Sequence, residues 1–396
     1  MTHKIDKRIF GTLFFSLLAT ITGVGIVVPL LPVYARHEGA GGIYIGLIFG
    51  AFSISRTFLL PFFGRWSDQK GRKPFILIGL VSYALVSVAF ILFTRVTDLI
   101  IIRFFQGIAS AMIMPVIQAY VGDITPSGRE GFVMGLFNMS LFFGLSLGPV
   151  AGGVINDHYS LQAAFVSMGV LALVGAGLSY WLLPTTRDEA ALRKGRPPLA
   201  WRSIVGDRVI VGLFIFRLVY TASIGVIWAF VPVLADSTFH VSSSQIGILV
   251  MLGVLVSGIV QTPAGYLADR TSRKAMVMTG GALAGLAVLS FQWAASYPQL
   301  LAASVAFGLG GGIAMPALMA VAVLKGHQTE SMGTVMAVLT VGHSLGMMVG
   351  ALAAGMMMDW WQLRYAFGLG FWFMLAGMIC FYLCLYGVPV DAVKDA

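Results

Sequence analysis

The chain has 396 residues, of which 58% are hydrophobic and only 10% charged, with a mean hydropathy of +0.90 and a formal net charge of +9. Soluble domains carry about 25% charged residues, so an ordinary water-soluble fold is excluded. Apolar runs near 9–34, 43–63, 75–94, 99–121, 131–155, 163–183, 209–235, 244–264, 275–294, 299–323, 333–357 and 364–387 are each of the length that crosses a bilayer. Only helices and closed barrels satisfy their backbone groups in hydrocarbon, and runs this long predict an all-α membrane protein with 12 transmembrane helices.

The opening MTHKIDKRIFGTLFF has a basic start like a secretory signal, but its apolar run outlasts a signal core, which predicts a retained first helix. After the second run comes GRWSDQKGRK (64–73), dense in charge between two apolar segments. Here Gly64 and Gly71 are expected to open and close a tight loop. Run four carries Arg103, Gln106, Met114 and Gln118, and run five carries Asn138 and a four-residue glycine spacing at Gly144, Gly148 and Gly152. Such a stripe lets another helix approach closely, and Pro149 beside it bends the span.

Residues 185–208 are the longest polar stretch, dividing the chain into 1–184, a cytoplasmic central loop and 209–396. Run seven holds Arg217 and Trp228, run ten Met315 and run eleven His343. Cys380 and Cys384 in the last run have no redox or metal spacing and read as small buried hydrophobes.

With the N-terminus inside, 19 of the 25 Lys and Arg fall in inside segments and 3 outside. That asymmetry places both termini in the cytoplasm and makes the basic excess topological, which argues against a nucleic-acid partner.

The two halves repeat. Gly25 and Pro32 recur as Gly225 and Pro232, Asp68 and Met114 as Asp269 and Met315, and Gly144, Gly148 and Asp157 as Gly346, Gly350 and Asp359. The offset drifts only from 200 to 202 along the chain, the mark of a duplication. Two pseudo-symmetric six-helix bundles flanking a substrate site form a transporter architecture.

These features resemble the major facilitator superfamily over nearly the whole chain. GRWSDQKGRK is similar to its loop between helices 2 and 3, GLSLGPVAGG (Gly144, Gly148, Pro149, Gly152, Gly153) to the helix 5 antiporter motif, and RFFQG (Arg103, Gln106, Gly107) to the helix 4 motif of drug–proton antiporters. The resemblance implies the major facilitator fold and a monomeric exporter in a bacterial inner membrane. It implies small amphiphilic substrates and proton-gradient coupling, with no cofactor and no metal.

It also implies a conformational latch of Gly64, Asp68, Gly71, Arg72, Lys73, Asp123, Asp269 and Arg273. Asp68 would meet the start of helix 11, where unsatisfied N–H groups favour an anion, and Asp269 would meet Glu130 and Gly131. Arg72 would pair with Asp123. Gln106, Gln118 and Trp228 are expected to line the cavity, with Met114 and Met315 as adaptable apolar surface.

One departure is evident. Drug exporters of this type commonly carry a carboxylate within a span, yet all 16 Asp and Glu lie outside span centres. Among mid-span groups only His343 is of a type whose reference pKa is near neutrality, and it suits a hydrogen-bonded interface as well as proton transfer. Arg56, Arg103 and Arg217 lie within spans, at a cost of roughly 3 kcal/mol each for a charge at mid-bilayer. Without a carboxylate to pair them they either bond backbone carbonyls or snorkel, or they give a cavity of positive potential, which would make an anionic metabolite the alternative substrate. No paired carboxylates, metal cluster or nucleophile–base pair suggests an enzyme.

Overall fold

The computed structural model describes residues 6–125, 130–184, 206–329 and 332–388. The expected helices are present: α1 Lys7–His37, α2 Gly42–Lys70, α3 Arg72–Leu92, α4 Val96–Asp123, α5 Glu130–His158, α6 Leu161–Leu182, α7 Arg208–Phe239, α8 Ser243–Ala268, α9 Arg273–Trp293, α10 Tyr297–Gln328, α11 Met332–Trp360 and α12 Tyr365–Cys384. All 12 are long and apolar enough to span a membrane. Large apolar side chains such as Phe58, Leu85, Trp181 and Trp372 are exposed on them, which is stable only against lipid.

Helix ends follow local chemistry. Asp6 and Asp207 accept from the second and third backbone N–H groups of α1 and α7, and Ser160 and Ser272 cap α6 and α9. Lys325, in the last turn of α10, reaches the Asp207 carboxylate at 2.5 Å and so ties α10 to the start of α7.

By contacts the chain forms two units. One comprises residues 1–39, 51–195 and 242–251; the other comprises 40–50, 196–241 and 252–396. Each unit therefore takes a short segment from the other half of the sequence. In the first, α1 packs on α5 and α6, and α3 on α4 and α6; in the second, α7 packs on α11 and α12, and α9 on α10 and α12. The duplication seen in the sequence is thus repeated in the packing.

Hydrocarbon offers no hydrophobic drive between helices, so close packing and hydrogen bonds hold them. Ser16 Oγ bonds Ser179 Oγ (3.0 Å) between α1 and α6, and Ser87 donates to the Phe165 carbonyl between α3 and α6. Gly280 and Gly310 let α9 and α10 touch backbone to backbone. Cys380 is exposed on α12 and Cys384 half-buried, which corrects their expected burial: α12 is apolar all round and turns Cys380 outward.

Candidate functional site

The charged stretch 64–73 is not a loop. α2 runs through Gly64, Asp68 and Lys70, and the turn is made by Gly71 alone, whose φ of +93° suits glycine. Gly64 is an ordinary helical residue, because nothing in WSDQK breaks the helix once it leaves the apolar span.

Arg72, 7% exposed, organises this corner. Its Nη1 lies 2.6 Å from Asp68 Oδ1 and donates to Ser67 Oγ (2.9 Å), while Nε donates to Asp123 Oδ2 (3.2 Å). Ser67 in turn donates to the Gly64 carbonyl. The ends of α2, α3 and α4 are thereby joined through one guanidinium, whose planar fork suits several acceptors.

Lys73 does something the sequence did not disclose. Its Nζ donates to the carbonyls of Tyr180 (2.7 Å) and Leu183 (2.6 Å), where the end of α6 leaves carbonyls without helical partners. Lys274 repeats this on the Leu385 carbonyl at the end of α12. In the second unit Asp269 is largely exposed and 4.0 Å from Arg273. Glu130 and Gly131, expected near Asp269, and the opening residues of α11, expected near Asp68, lie outside the described side chains.

The α5 stripe faces α1. A Cβ on Gly148 would lie 2.6 Å from the Thr22 carbonyl oxygen and 2.7 Å from Gly25 Cα; one on Gly152 would lie 2.5 Å from the Ile26 carbonyl oxygen. Gly144 meets Ile21 and Thr22, and Pro149 Cδ abuts Gly25. Gly144, Gly148 and Gly152 thus pack on α1 of their own half. Gly153 and Pro149 differ, meeting Ser243 and Gly247 of the 242–251 segment. α11 presents Gly346 and Gly350 to α7 in the same way.

Two aspartates at duplicated positions cap helices from a distance in sequence. Asp157 accepts from the backbone N–H groups of Ser243 (3.0 Å) and Ser244 (2.8 Å), and from Ser244 Oγ (2.6 Å), at the start of α8. Asp359 accepts from Gly42 (2.5 Å) and Ile43 (2.9 Å) at the start of α2. The sequence signal was the 202-residue recurrence of aspartate at these helix ends.

The intramembrane polar groups fall into three sets. Arg103 is buried about two turns into α4, donates to Gln106 Oε1 (2.7 Å) and lies over the Phe52 ring at 4.5 Å. Gln106 is fully buried, its Nε2 directed to Met168 Sδ, so it does not line an open surface as expected: Arg103 and Met168 engage its amide inside the first unit. Gln118 and Asn138 are exposed and Trp228 half-buried.

Arg56 sits at the middle of α2 and donates from Nη2 to Met114 Sδ (3.3 Å), while its buried Nε has no partner. Arg217 of α7 donates from Nη1 to Met315 Sδ (2.8 Å), and its Nη2 lies 3.3 Å from His343 Nδ1; its Nε is likewise buried without a partner. A guanidinium only donates, so His343 Nδ1 is the acceptor in this contact.

The match to known proteins agrees with this architecture. The Major Facilitator Superfamily model matches residues 13–236 and again 213–395. The chain belongs to the major facilitator superfamily. An uncharacterised superfamily-type transporter of Methanocaldococcus jannaschii is 27% identical over 364 residues, covering 90% of this chain and 92% of that protein. Multidrug resistance protein 2 of Bacillus subtilis is 33% identical over 178 residues, 45% of this chain and 44% of that protein. The crystal structure of a bacterial homologue of the human lysosomal transporter Spinster superposes with a TM-score of 0.84 at 14% identity, covering 99% of this chain and 100% of that one, and shows a common fold. The protein is a multi-pass membrane protein of a transporter family rather than of an enzyme family.

Proposed function

We propose that this superfamily member is a secondary active transporter that exports small amphiphilic molecules by alternating access, driven by proton antiport. It works as a monomer in a bacterial inner membrane with both termini in the cytoplasm. The observation that carries export is the 33% identity to a multidrug resistance protein over 45% of the chain. The α5 motif supports it, with Pro149 set into a glycine stripe packed on α1. In this reading the Asp68–Arg72–Asp123 corner is one side of a latch that forms and breaks as the carrier cycles. The test is flux in proteoliposomes: an imposed inward proton gradient should drive loss of a fluorescent amphiphile, and collapse of the gradient should stop it. Unaltered flux without a gradient would refute antiport while leaving transport in place.

A second reading, an exporter or uniporter of an anionic metabolite, is favoured by one observation. Every Asp and Glu of a described helix lies near a helix end, whereas Arg56 and Arg217 lie well inside theirs. Proton coupling would then need a carrier other than a mid-span carboxylate.

A further inference from the structure

We infer that Arg217, with His343 beside it, is the anchor for the acidic group of an amphiphilic substrate, which makes anions the preferred cargo. The inference rests on the transporter reading and adds the substrate's charge to it.

A guanidinium carries five N–H donors and a full charge, and in a low-dielectric span it is costly without an anion. Arg217 has only neutral partners, a thioether and an imidazole nitrogen, and thioether sulfur is a weak acceptor. Its Nε has none. Among the described residues no carboxylate forms an ion pair with it. Contrast Arg72, which holds two carboxylates at once. Arg217 is nonetheless half-buried rather than sealed, as is His343.

Its depth argues for a solute. Arg217 is nine residues into α7 from Arg208, about 14 Å along the helix, below the level at which a lipid phosphate sits. The same helix face continues with half-buried Ile224 two turns on and Trp228 one turn further. An acidic head at Arg217 with an aromatic or aliphatic body along Ile224 and Trp228 fits this order of polar and apolar groups. The duplicated helix position gives independent support: Met315 and Met114 stand at equivalent places, and each accepts from an arginine with an unpartnered Nε. A weak sulfur contact leaves such a group free to exchange partners when a ligand arrives.

The experiment uses the full chain in phosphatidylcholine nanodiscs and a matched pair of probes, naphthalene-2-sulfonate and 2-naphthylmethylammonium. Wild type should bind the sulfonate in preference to the ammonium. Arg217→Gln should weaken the sulfonate about ten- to a hundredfold, the value of one or two charge-assisted hydrogen bonds, and leave the ammonium unaffected. Arg217→Lys, which keeps the charge without the fork, should fall between and serves if the glutamine variant does not fold. Equal sulfonate affinity in wild type and Arg217→Lys or Arg217→Gln, or preference of wild type for the ammonium, would overturn the inference. So would loss of sulfonate binding when phosphatidylglycerol is added, which would assign the group to a lipid headgroup. Flux in proteoliposomes separates the two readings. Arg217-dependent binding without flux would sink the exporter and keep the anchor, whereas export of the ammonium alone would do the reverse.

Discussion

At the scale of single residues, charge in this protein is divided between arginines with carboxylates and arginines without. Arg72 is buried, and both Asp68 and Asp123 lie on it. Removing one partner of a buried ion pair costs about 3 kcal/mol, because the remaining charge is stranded. Asp123 is the more buried of the two carboxylates, so Asp123→Ala should lower the melting temperature in detergent more than Asp68→Ala does. Asp68 has a different expected role. Its carboxylate is half-exposed, so Asp68→Asn should express normally and melt close to wild type, yet lose most of its transport. Full flux by a well-folded Asp68→Asn protein would rule out the latch. Gly71 admits a simpler test: its φ of +93° resists any side chain, so Gly71→Val should disturb the α2–α3 turn and the Arg72 corner with it.

At the scale of helices, packing is close wherever small residues line up. Gly148 leaves no room for a Cβ against Thr22 and Gly25. Gly148→Leu should therefore separate α1 from α5, with several kcal/mol of overpacking and either loss of folded protein or uncoupled leakage in proteoliposomes. Tight, normal transport by that variant would show that the helices can part without harm. Helix termini give a milder case. Asp157 holds two backbone N–H groups and one hydroxyl at the start of α8. Asp157→Ala should cost about 1 kcal/mol, and hydrogen exchange at Ser243 and Ser244 should quicken while the centre of α8 stays protected. Asp359→Ala should act alike on Gly42 and Ile43, since the duplicated aspartate makes the equivalent bonds.

At the scale of the whole molecule, the two compact units do not coincide with the two halves of the chain. Residues 242–251 complete the first unit, where Gly247 lies against Pro149, and residues 40–50 complete the second, where a Cβ on Gly46 would lie 2.6 Å from the Ala351 carbonyl oxygen. A fragment cut at the central loop loses one of these segments. Residues 1–205 expressed alone should therefore melt at lower temperature than the same fragment co-expressed and purified with residues 206–396. Identical melting of the lone and paired fragments would mean that the borrowed segment contributes nothing to the unit that holds it.

The span count, the all-α class and the duplication were legible in the chain itself, because a bilayer imposes length and hydropathy on each helix separately and duplication is written as residue spacing. Arg72 with Asp123 was named through family resemblance, since the relevant residues flank adjacent apolar runs. Other features depended on which helix faces which. The α5 glycines recur in any rotation of the helix, and only packing shows that they meet α1. Gln106 reads as a cavity residue until its amide is found between Arg103 and Met168. GRWSDQK reads as a loop because it is polar, yet a helix continues into water for as long as nothing breaks it, and the break is Gly71. The contrast between Arg72 with two carboxylates and Arg217 with a thioether and an imidazole is likewise tertiary. Composition counts charges, but the distances that decide which are compensated join residues as far as 126 positions apart.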